Sequence, residues 1–231
     1  MKIFDRAGTP NAARIRIVIA AKELEDEIEY VSVDLIGAEQ KRPEFLAMNP
    51  IGKTPVLLLD DGFAISESTA ITEYLDNLDG HPILTGTTPR EKAAIHMMQR
   101  RVEIMLTDPV DDYFHNATAG IGPALAPWRA WDWHATREWA ERRGAQAVAN
   151  LPYFDGVLHR QPFIAGDSFS MADITLFISL DFARGAGLPI DSGLTALADW
   201  YGRVSALPAV ANRSGQQFHA ADLERLTAMA G

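Results

Sequence analysis

Hydrophobic positions in the first 79 residues alternate between strand-like runs and helix-like spacing. The apolar runs predict strands at Ile3-Phe4, 28–33, 56–59 and 63–65. Helical spacing predicts helices from Asn11 to about Glu23 and from Glu67 to Asp79. A turn signal at Asp61-Gly62 indicates that the last two strands form a hairpin. The predicted order is therefore β-α-β, a connecting segment, and then β-β-α.

Residues 80–89 have the composition of a loop, and helical spacing dominates after them. A capping box with proline at the first helical position, Thr88-Pro89-Arg90-Glu91, begins the next helix. The spacing predicts helices at about 90–116, 132–160, 171–186 and 194–206. Pro109 is expected to kink or end the first of them. We therefore expect an α/β domain at 1–79, a linker at 80–89 and an all-helical domain at 90–231.

The charge and composition of the chain argue against two classes of partner. The 231 residues carry a formal net charge of -10 and the pI is near 5.0, whereas nucleic-acid binders usually present a basic face. No uncharged apolar run approaches the roughly 20 residues that span a bilayer. We expect no nucleic-acid or membrane partner, and a cytoplasmic chain without a signal peptide.

Cysteine is absent from the sequence. This excludes disulfide bonds, zinc–thiolate sites and cysteine nucleophiles together. The six histidines show no metal-ligand spacing such as His-Glu-x-x-His, so we expect no metal. Any thiol chemistry must therefore use a thiol that a ligand supplies.

The segment from Asn49 to Leu57 joins a turn to an apolar strand. Pro55 lies at the entry of a strand that is predicted to be central, which is an uncommon position for proline. A cis Thr54-Pro55 bond explains it, and it would turn the N–H and C=O of Thr54 outward to pair with an extended peptide. The alternative is a tight loop before an edge strand.

The same segment also matches a relaxed phosphate-binding loop, with Gly52-Lys53-Thr54 five residues after Ala47. That loop requires a strand before it and a helix after it. Here residues 43–46 have a helical pattern, and Pro55 opens a strand. We therefore expect no nucleotide.

Ser66-Glu67-Ser68 precedes a predicted helix. Ser66 or Ser68 can cap that helix. The free N–H groups and the positive end of the helix dipole can also hold an anion. A carboxylate placed there, with Glu67 beside it to meet an ammonium group, suits an α-amino acid moiety.

The two segments 49–57 and 66–68 together resemble the glutathione site of cytosolic glutathione transferases. A second motif supports the resemblance, because Phe163 to Asp167 leads into the capping box Ser170-Met171-Ala172-Asp173. It is similar to the family's helical-domain capping motif, whose role is in folding. The resemblance covers nearly the whole chain and implies a thioredoxin-like α/β domain followed by an all-helical domain.

The resemblance implies a role for each matching residue, with glutathione as co-substrate. Thr54 pairs its backbone with the cysteinyl residue of glutathione, and Pro55 is the cis-proline. Glu67 and Ser68 hold the γ-glutamyl end, and Lys53 reaches the glycyl carboxylate.

The family activates the thiol near the start of the first helix, where this chain has Thr9-Pro10-Asn11. This segment resembles the pattern of bacterial, nu-like members, which use Thr and Asn there. Lowering a thiol pKa of about 8.5 by two units takes about 2.7 kcal/mol. One hydrogen bond to a charged group contributes about 1.5–3 kcal/mol. Three donors to the thiolate remain possible, namely Thr9 Oγ1, Asn11 Nδ2 or backbone N–H groups alone. Asn11 can instead be the N-cap of the helix.

A cleft for the second substrate is expected to use Tyr113, Phe114 and His115 near the domain boundary. Trp128, Trp131 and Trp133 are further candidates, although aromatic clusters more often pack a core. The resemblance also implies a homodimer, in which Arg100, Arg101 and Glu103 can face the partner. From helical spacing alone, these three residues form a solvated face.

The leading hypothesis is an enzyme that presents the thiolate of bound glutathione to a small electrophile. A glutathione-dependent disulfide reductase is the second hypothesis, and without a cysteine it would need two glutathiones. A non-catalytic binding or structural protein that keeps the fold is the third.

Overall fold

The computed structural model describes residues 1–118 and 136–230, and the chain separates into two compact units. One unit contains residues 1–75 and 213–230, and the other contains residues 76–117 and 136–212. The first unit holds a mixed sheet with helices, whereas the second is helical. The predicted fold class is therefore confirmed.

Four strands form the sheet of the first unit, namely β1 (Lys2–Asp5), β2 (Glu29–Ser32), β3 (Val56–Leu58) and β4 (Ala64–Ser66). Their order across the sheet is β2-β1-β3-β4. β1 and β2 are parallel, and the other two pairs are antiparallel. Val56, the first residue of β3, lies opposite Phe4 of β1 and opposite Ser66 of β4. β3 is therefore an interior strand, as predicted.

Three helices connect or follow these strands, namely α1 (Pro10–Ala21), α2 (Pro43–Met48) and α3 (Ser68–Asn77). Short 3₁₀ turns occur at Glu25–Glu27 and Glu39–Lys41. Ile3, Ile15, Leu57 and Ile71 are almost completely buried, so the sheet, α1 and α3 all contribute to the core. This order is the predicted βαβ-ββα arrangement.

Six helices of the second unit lie in the described ranges, namely α4 (Pro89–Val102), α5 (Asp108–Ala117), α6 (Arg137–Leu158), α7 (Met171–Gly185), α8 (Thr195–Ser205) and α9 (Pro208–Ala211). Both predicted capping boxes are present. Thr88 and Glu91 exchange bonds at the start of α4, and Ser170 and Asp173 do so at the start of α7.

The predicted effect of Pro109 on the first long helix needs a correction. The interruption comes before the proline, as a π-helical turn at Glu103–Thr107, and α5 then continues through Pro109. In an α-helix the N–H of residue 109 would donate to the carbonyl of Met105, but proline has no N–H. Asn150 of α6 donates its Nδ2 to that carbonyl at 2.8 Å. A side chain 45 positions away in the sequence thus provides the hydrogen bond that the Met105 carbonyl would otherwise lack.

The C-terminal residues form helix α10 (Ala220–Ala230) and cluster with the first unit. Local hydrophobic spacing does not indicate this association, because it depends on contacts across more than 190 residues. Arg6 forms an ion pair with Asp222 at 2.7 Å, and Arg225 forms one with Asp34 at 2.7 Å.

Asp173 is the buried acceptor that organises the start of α7. Its carboxylate accepts hydrogen bonds from the N–H of Ile164 at 2.8 Å, from the N–H and hydroxyl of Ser170 at 3.0 and 2.8 Å, and from Trp200 Nε1 at 3.0 Å. Complete burial raises the pKa of Asp173 to about 6, while these donors favour the charged form. One side chain therefore ties α7 to α8 and to the preceding loop.

Replacing Asp173 by Asn is expected to lower the free energy of unfolding by at least about 2 kcal/mol. The new NH₂ group would face donors and leave buried N–H groups without an acceptor. Urea denaturation at an unchanged m-value measures the loss. The exposed Asp167 provides the matched control, since Asp167→Asn is expected to change stability by less than about 0.5 kcal/mol. Equal midpoints for the two variants would contradict the role of Asp173.

Candidate active site

The loop before β3 is closed on itself by the buried side chain of Asn49. Its Nδ2 donates to the Lys53 carbonyl at 2.8 Å, and its Oδ1 accepts from the Ile51 N–H at 3.2 Å. The Asn49 carbonyl accepts from the Gly52 N–H at 2.9 Å. Asn49 is only 2% exposed, so its side-chain amide is shielded from water. They fix the main chain that leads directly into Thr54.

Gly52 allows the 3₁₀ turn at Glu39–Lys41 to approach this loop. Its φ is +63°, and a Cβ at this position would lie 2.6 Å from Lys41 Nζ and 2.8 Å from the Gln40 carbonyl. Lys41 Nζ donates to the Ile51 carbonyl at 2.8 Å. A side chain at residue 52 would therefore displace the lysine and strain the backbone.

The Thr54-Pro55 peptide bond is cis, as predicted. Pro55 is buried and directly precedes the interior strand β3, while Lys53 is exposed. Around the Gly52-Lys53-Thr54 sequence, α2 precedes and β3 follows. This order is the reverse of the strand and helix that a phosphate-binding loop requires.

The start of α3 differs from the prediction that Ser66 or Ser68 caps it. Ser66 is the last residue of β4, and Ser68 is already the first helical residue. Glu67 occupies the capping position, because its carbonyl accepts the N–H of Ile71 at 3.0 Å. Glu67 has a φ of +69°, in the left-handed backbone region that residues other than glycine rarely adopt. The chain must therefore turn sharply at this one residue between strand and helix.

Ser68 and Thr72 are both buried in the first turns of α3. Thr72 Oγ1 donates to the Ser68 carbonyl at 2.8 Å, so the threonine bonds back to its own helix. A non-glycine residue in the left-handed region costs of order 1–3 kcal/mol, and such residues cluster at functional sites. The conformation of Glu67 is therefore independent support for a functional role of this turn.

The alternative that Asn11 is the N-cap of α1 is wrong. Thr9 is the N-cap residue, and Asn11 lies inside the first turn. The Thr9 side chain makes no capping bond to a helical N–H. Instead, its Oγ1 donates to the Arg6 carbonyl at 2.8 Å, and its N–H donates to the same oxygen at 3.2 Å. The hydroxyl proton of Thr9 is therefore already engaged.

The Asn11 side chain is oriented by a neighbouring guanidinium. Arg14 Nη1 donates to Asn11 Oδ1 at 3.3 Å. Because guanidinium groups only donate, this contact assigns the oxygen of the amide to the arginine. The Nδ2 group of Asn11 is then directed away from Arg14 as a donor.

The strand register brings three of the predicted segments to one end of the sheet. Phe4, Val56 and Ser66 lie side by side on β1, β3 and β4. The chain that leaves Phe4 leads to α1, the chain entering Val56 comes from Thr54, and the chain leaving Ser66 begins α3. Neighbouring strands are about 4.8 Å apart, so the three chain ends lie within about 10 Å across the sheet. An extended tripeptide is long enough to reach all three.

The predicted second-substrate residues belong to α5 in the second unit, and all three are half-buried. The Phe114 ring packs edge-on against Phe182 at a centroid distance of 5.1 Å and lies 5.5 Å from the ring of His115. Tyr113 lies against Gly144, where a Cβ would be 2.9 Å from Cδ2 of the tyrosine. These contacts show packing within the unit. Trp128, Trp131 and Trp133 lie outside the described residues.

Within residues 1–118 and 136–230, no group of three or more histidine and acidic side chains is placed to hold a metal ion. In the same ranges, no helix is long and apolar enough to cross a membrane.

Sequence reasoning missed the roles of Asn49 and Lys41 in shaping the loop before β3. The asparagine at the head of the Asn-Pro-x-Gly-Lys motif was the available signal, because asparagine commonly bonds the backbone of a turn.

Comparison with known proteins identifies matches to two protein families. The family described as glutathione S-transferase, N-terminal domain, matches residues 9–78. The family described as glutathione S-transferase, C-terminal domain, matches residues 137–203.

Individual relatives extend the match over most of the chain. Glutathione S-transferase 2 of Saccharomyces cerevisiae is 47% identical over 210 residues, covering 91% of this chain and 88% of that protein. The crystal structure of Gtt2 from the same yeast has a TM-score of 0.86 and 46% identity, covering 92% of this chain and 99% of that one. A glutathione S-transferase domain-containing protein from Marinobacter aquaeolei VT8 has a TM-score of 0.84 and 41% identity, covering 91% and 100%. The chain therefore belongs to the glutathione S-transferase family.

Proposed function

We propose that this enzyme binds glutathione along Thr54 and ionises its thiol at the start of α1. The observation that carries the proposal is the register that aligns Phe4, Val56 and Ser66 at one end of the sheet. This register brings the segments that lead into α1, β3 and α3 to one end of the sheet, which supports a single extended ligand in contact with all three. Residues 1–79 are the glutathione-binding part in this proposal, 80–89 the linker and 90–231 the helical part.

The γ-glutamyl end of glutathione is assigned to the start of α3. Its ammonium group pairs with the Glu67 carboxylate, and its carboxylate accepts from Ser68 and lies at the positive end of the α3 dipole. The left-handed turn at Glu67 supports this assignment, because it places an acidic residue directly ahead of a helix N-terminus.

The rest of the tripeptide is assigned to the loop before β3. The N–H and C=O of Thr54 pair with the cysteinyl residue, and Pro55 fixes the cis bond beside them. Lys53 meets the glycyl carboxylate, and Lys41 supplies a second ammonium group against the same loop. On a chain with a net charge of -10, an anionic ligand needs such local donors, since the overall field repels it.

Asn11 is the preferred donor to the thiolate. Its Nδ2 is directed away from Arg14, whereas the hydroxyl proton of Thr9 is engaged with the Arg6 carbonyl. One hydrogen bond to a charged group contributes about 1.5–3 kcal/mol. With the positive end of the α1 dipole, this is enough to lower a thiol pKa by about two units, which takes about 2.7 kcal/mol. The thiol proton leaves to solvent.

The thiolate then attacks an electrophilic carbon of a small substrate, forming a carbon–sulfur bond and giving a thioether. In a substitution the leaving group departs with its bonding electron pair, and in an addition the adduct takes a proton from solvent. Bound reactants need no further encounter, so proximity supplies much of the rate. We assign the second-substrate surface to Tyr113, Phe114 and His115, and we propose that the enzyme is a cytoplasmic homodimer. No metal or nucleotide takes part in this scheme.

A glutathione-dependent disulfide reductase is the second candidate, because Thr9-Pro10-Asn11 resembles the segment of bacterial, nu-like members. Without a cysteine, two glutathiones must be consumed per disulfide. The rate would then rise more steeply than first order in glutathione at low concentration. A first-order dependence favours the transferase.

Asn11→Ala is expected to raise the thiol pKa of bound glutathione by one to two units and to lower kcat about 10- to 100-fold. The dissociation constant of glutathione should change little, because other residues bind its backbone. Thiolate absorbance as a function of pH, with calorimetry for affinity, measures both quantities.

The matched control is Thr9→Val, which removes the hydroxyl at nearly constant shape. Because the N–H of residue 9 still donates to the Arg6 carbonyl, this variant is expected to change kcat by less than about threefold. A large loss in Thr9→Val with none in Asn11→Ala would transfer the role to Thr9. If neither variant shifts the thiol pKa, backbone N–H groups alone activate the thiol. If the unaltered protein leaves the glutathione pKa unchanged, thiol activation itself is refuted.

Glu67→Gln is expected to weaken glutathione binding about tenfold, because the ammonium group loses a charged partner. Glu67→Gly should weaken binding similarly but be more stable than Glu67→Ala by about 1 kcal/mol, since glycine adopts the left-handed region freely. Calorimetry and urea denaturation measure the two effects. Unchanged affinity in Glu67→Gln would remove the carboxylate from the γ-glutamyl site.

A further inference from the structure

The loop before α1 is in direct contact with main chain from the far end of the sequence. The Gly8 N–H donates to the Gly215 carbonyl at 2.9 Å. Gly8 has φ of +83°, and a Cβ there would lie 2.6 Å from backbone atoms of Phe218, so glycine alone permits the approach. Residues 213–222, here termed the C-terminal segment, therefore touch the chain one residue ahead of Thr9.

Arg6 connects the C-terminal segment to the first turn of α1. Its Nε and Nη2 donate to the two carboxylate oxygens of Asp222, each at 2.7 Å. Both side chains are largely buried, at 14% and 11% exposure. The main-chain carbonyl of Arg6 accepts both hydrogen bonds of Thr9. Because a bidentate pair has a fixed geometry, Asp222 constrains the residue that binds Thr9.

A second anchor lies at the beginning of the C-terminal segment. Arg16 of α1 donates to Asp5 at 2.8 and 2.9 Å, and its Nη1 donates to the Ser214 hydroxyl at 2.8 Å. Arg16 and Asp5 are only 7% and 2% exposed. The guanidinium stacks over Tyr30 at 4.0 Å, and the Tyr30 hydroxyl is hydrogen-bonded to Ser214. A buried ion pair thus joins β1, α1 and the C-terminal segment.

We propose that Asp222 and Ser214 are positioning residues for thiol activation, which fix residues 6–9 and so direct the first turn of α1 at the sulfur. The inference rests on the proposed function. Donors stabilise a developing charge best when they are fixed in place before it forms, and a displacement of about 1 Å can cost about 100-fold in rate. Neither residue belongs to the segments assigned to the tripeptide. Thiol ionisation should therefore suffer more than glutathione affinity.

Asp222→Asn tests the proposal, because it keeps the shape of the side chain and removes the charge and one acceptor for Arg6. The thiol pKa of bound glutathione is expected to rise by about one unit and kcat to fall about tenfold. The dissociation constant of glutathione should change by less than about threefold. Thiolate absorbance, steady-state kinetics and calorimetry measure the three quantities.

Arg225→Gln is the matched control. Arg225 also lies on α10 and pairs with the first unit, through Asp34 at 2.7 Å, but this pair does not include residues 6–9. It should leave the thiol pKa unchanged. Ser214→Ala removes the other anchor and is expected to shift the thiol pKa upward even if Asp222→Asn does not fold. Equal effects of the Asp222 and Arg225 variants, or weaker binding without a pKa shift, would overturn the proposal.

Hydrogen exchange without ligand separates this inference from the proposed function. The Gly215 carbonyl protects the Gly8 amide, so Asp222→Asn should accelerate exchange at Gly8 about tenfold or more, and Arg225→Gln should not. If the unaltered protein does not ionise glutathione, the proposed function fails, and the catalytic part of this inference fails with it. If it does, and Asp222→Asn alters neither the thiol pKa nor Gly8 exchange, the positioning role alone is refuted.

Discussion

The antiparallel pairing of Val56 with Phe4 on one side and Ser66 on the other is the constraint on which the proposed site depends. A slip of one residue would move every side chain of β3 to the opposite face of the sheet. Val56 and Leu57 are completely buried, so apolar packing opposes such a slip on both faces of the strand. The core therefore determines how far apart the three chain ends lie, before any polar residue contributes.

Two kinds of local structure then shape the proposed site at that end of the sheet. The loop before β3 is closed by one buried amide, Asn49, and by a glycine that admits Lys41. The turn into α3 depends instead on a left-handed conformation at Glu67. The first is stabilised by hydrogen bonds, whereas the second carries a conformational cost that the surrounding fold must offset. The residues of the proposed site are therefore held in place in two different ways.

The features that sequence predicted correctly are those with local causes. The capping boxes at Thr88 and Ser170, the cis bond before Pro55 and the strand and helix order all follow from residues within a few positions of one another. The features that it missed need distant partners. The association of residues 213–230 with the first unit, and the side chain of Asn150 at the carbonyl before Pro109, connect residues 45 or more positions apart. No local pattern contains that information.

In the proposed scheme, the groups that face the sulfur are neutral, namely the Asn11 amide and the N-terminal end of α1. Two guanidinium groups in this part of the chain each form an ion pair with a carboxylate, Arg6 with Asp222 and Arg16 with Asp5. The two ion pairs therefore contribute little net electrostatic potential at the start of α1. Arg14 donates to the oxygen of the Asn11 amide, which polarises that amide and strengthens Nδ2 as a donor. Dipoles held in place cost no reorganisation when charge develops. In the proposed scheme, the rigidity of the first turn of α1 therefore replaces the Tyr, Ser or Cys side chain that this chain lacks at this position.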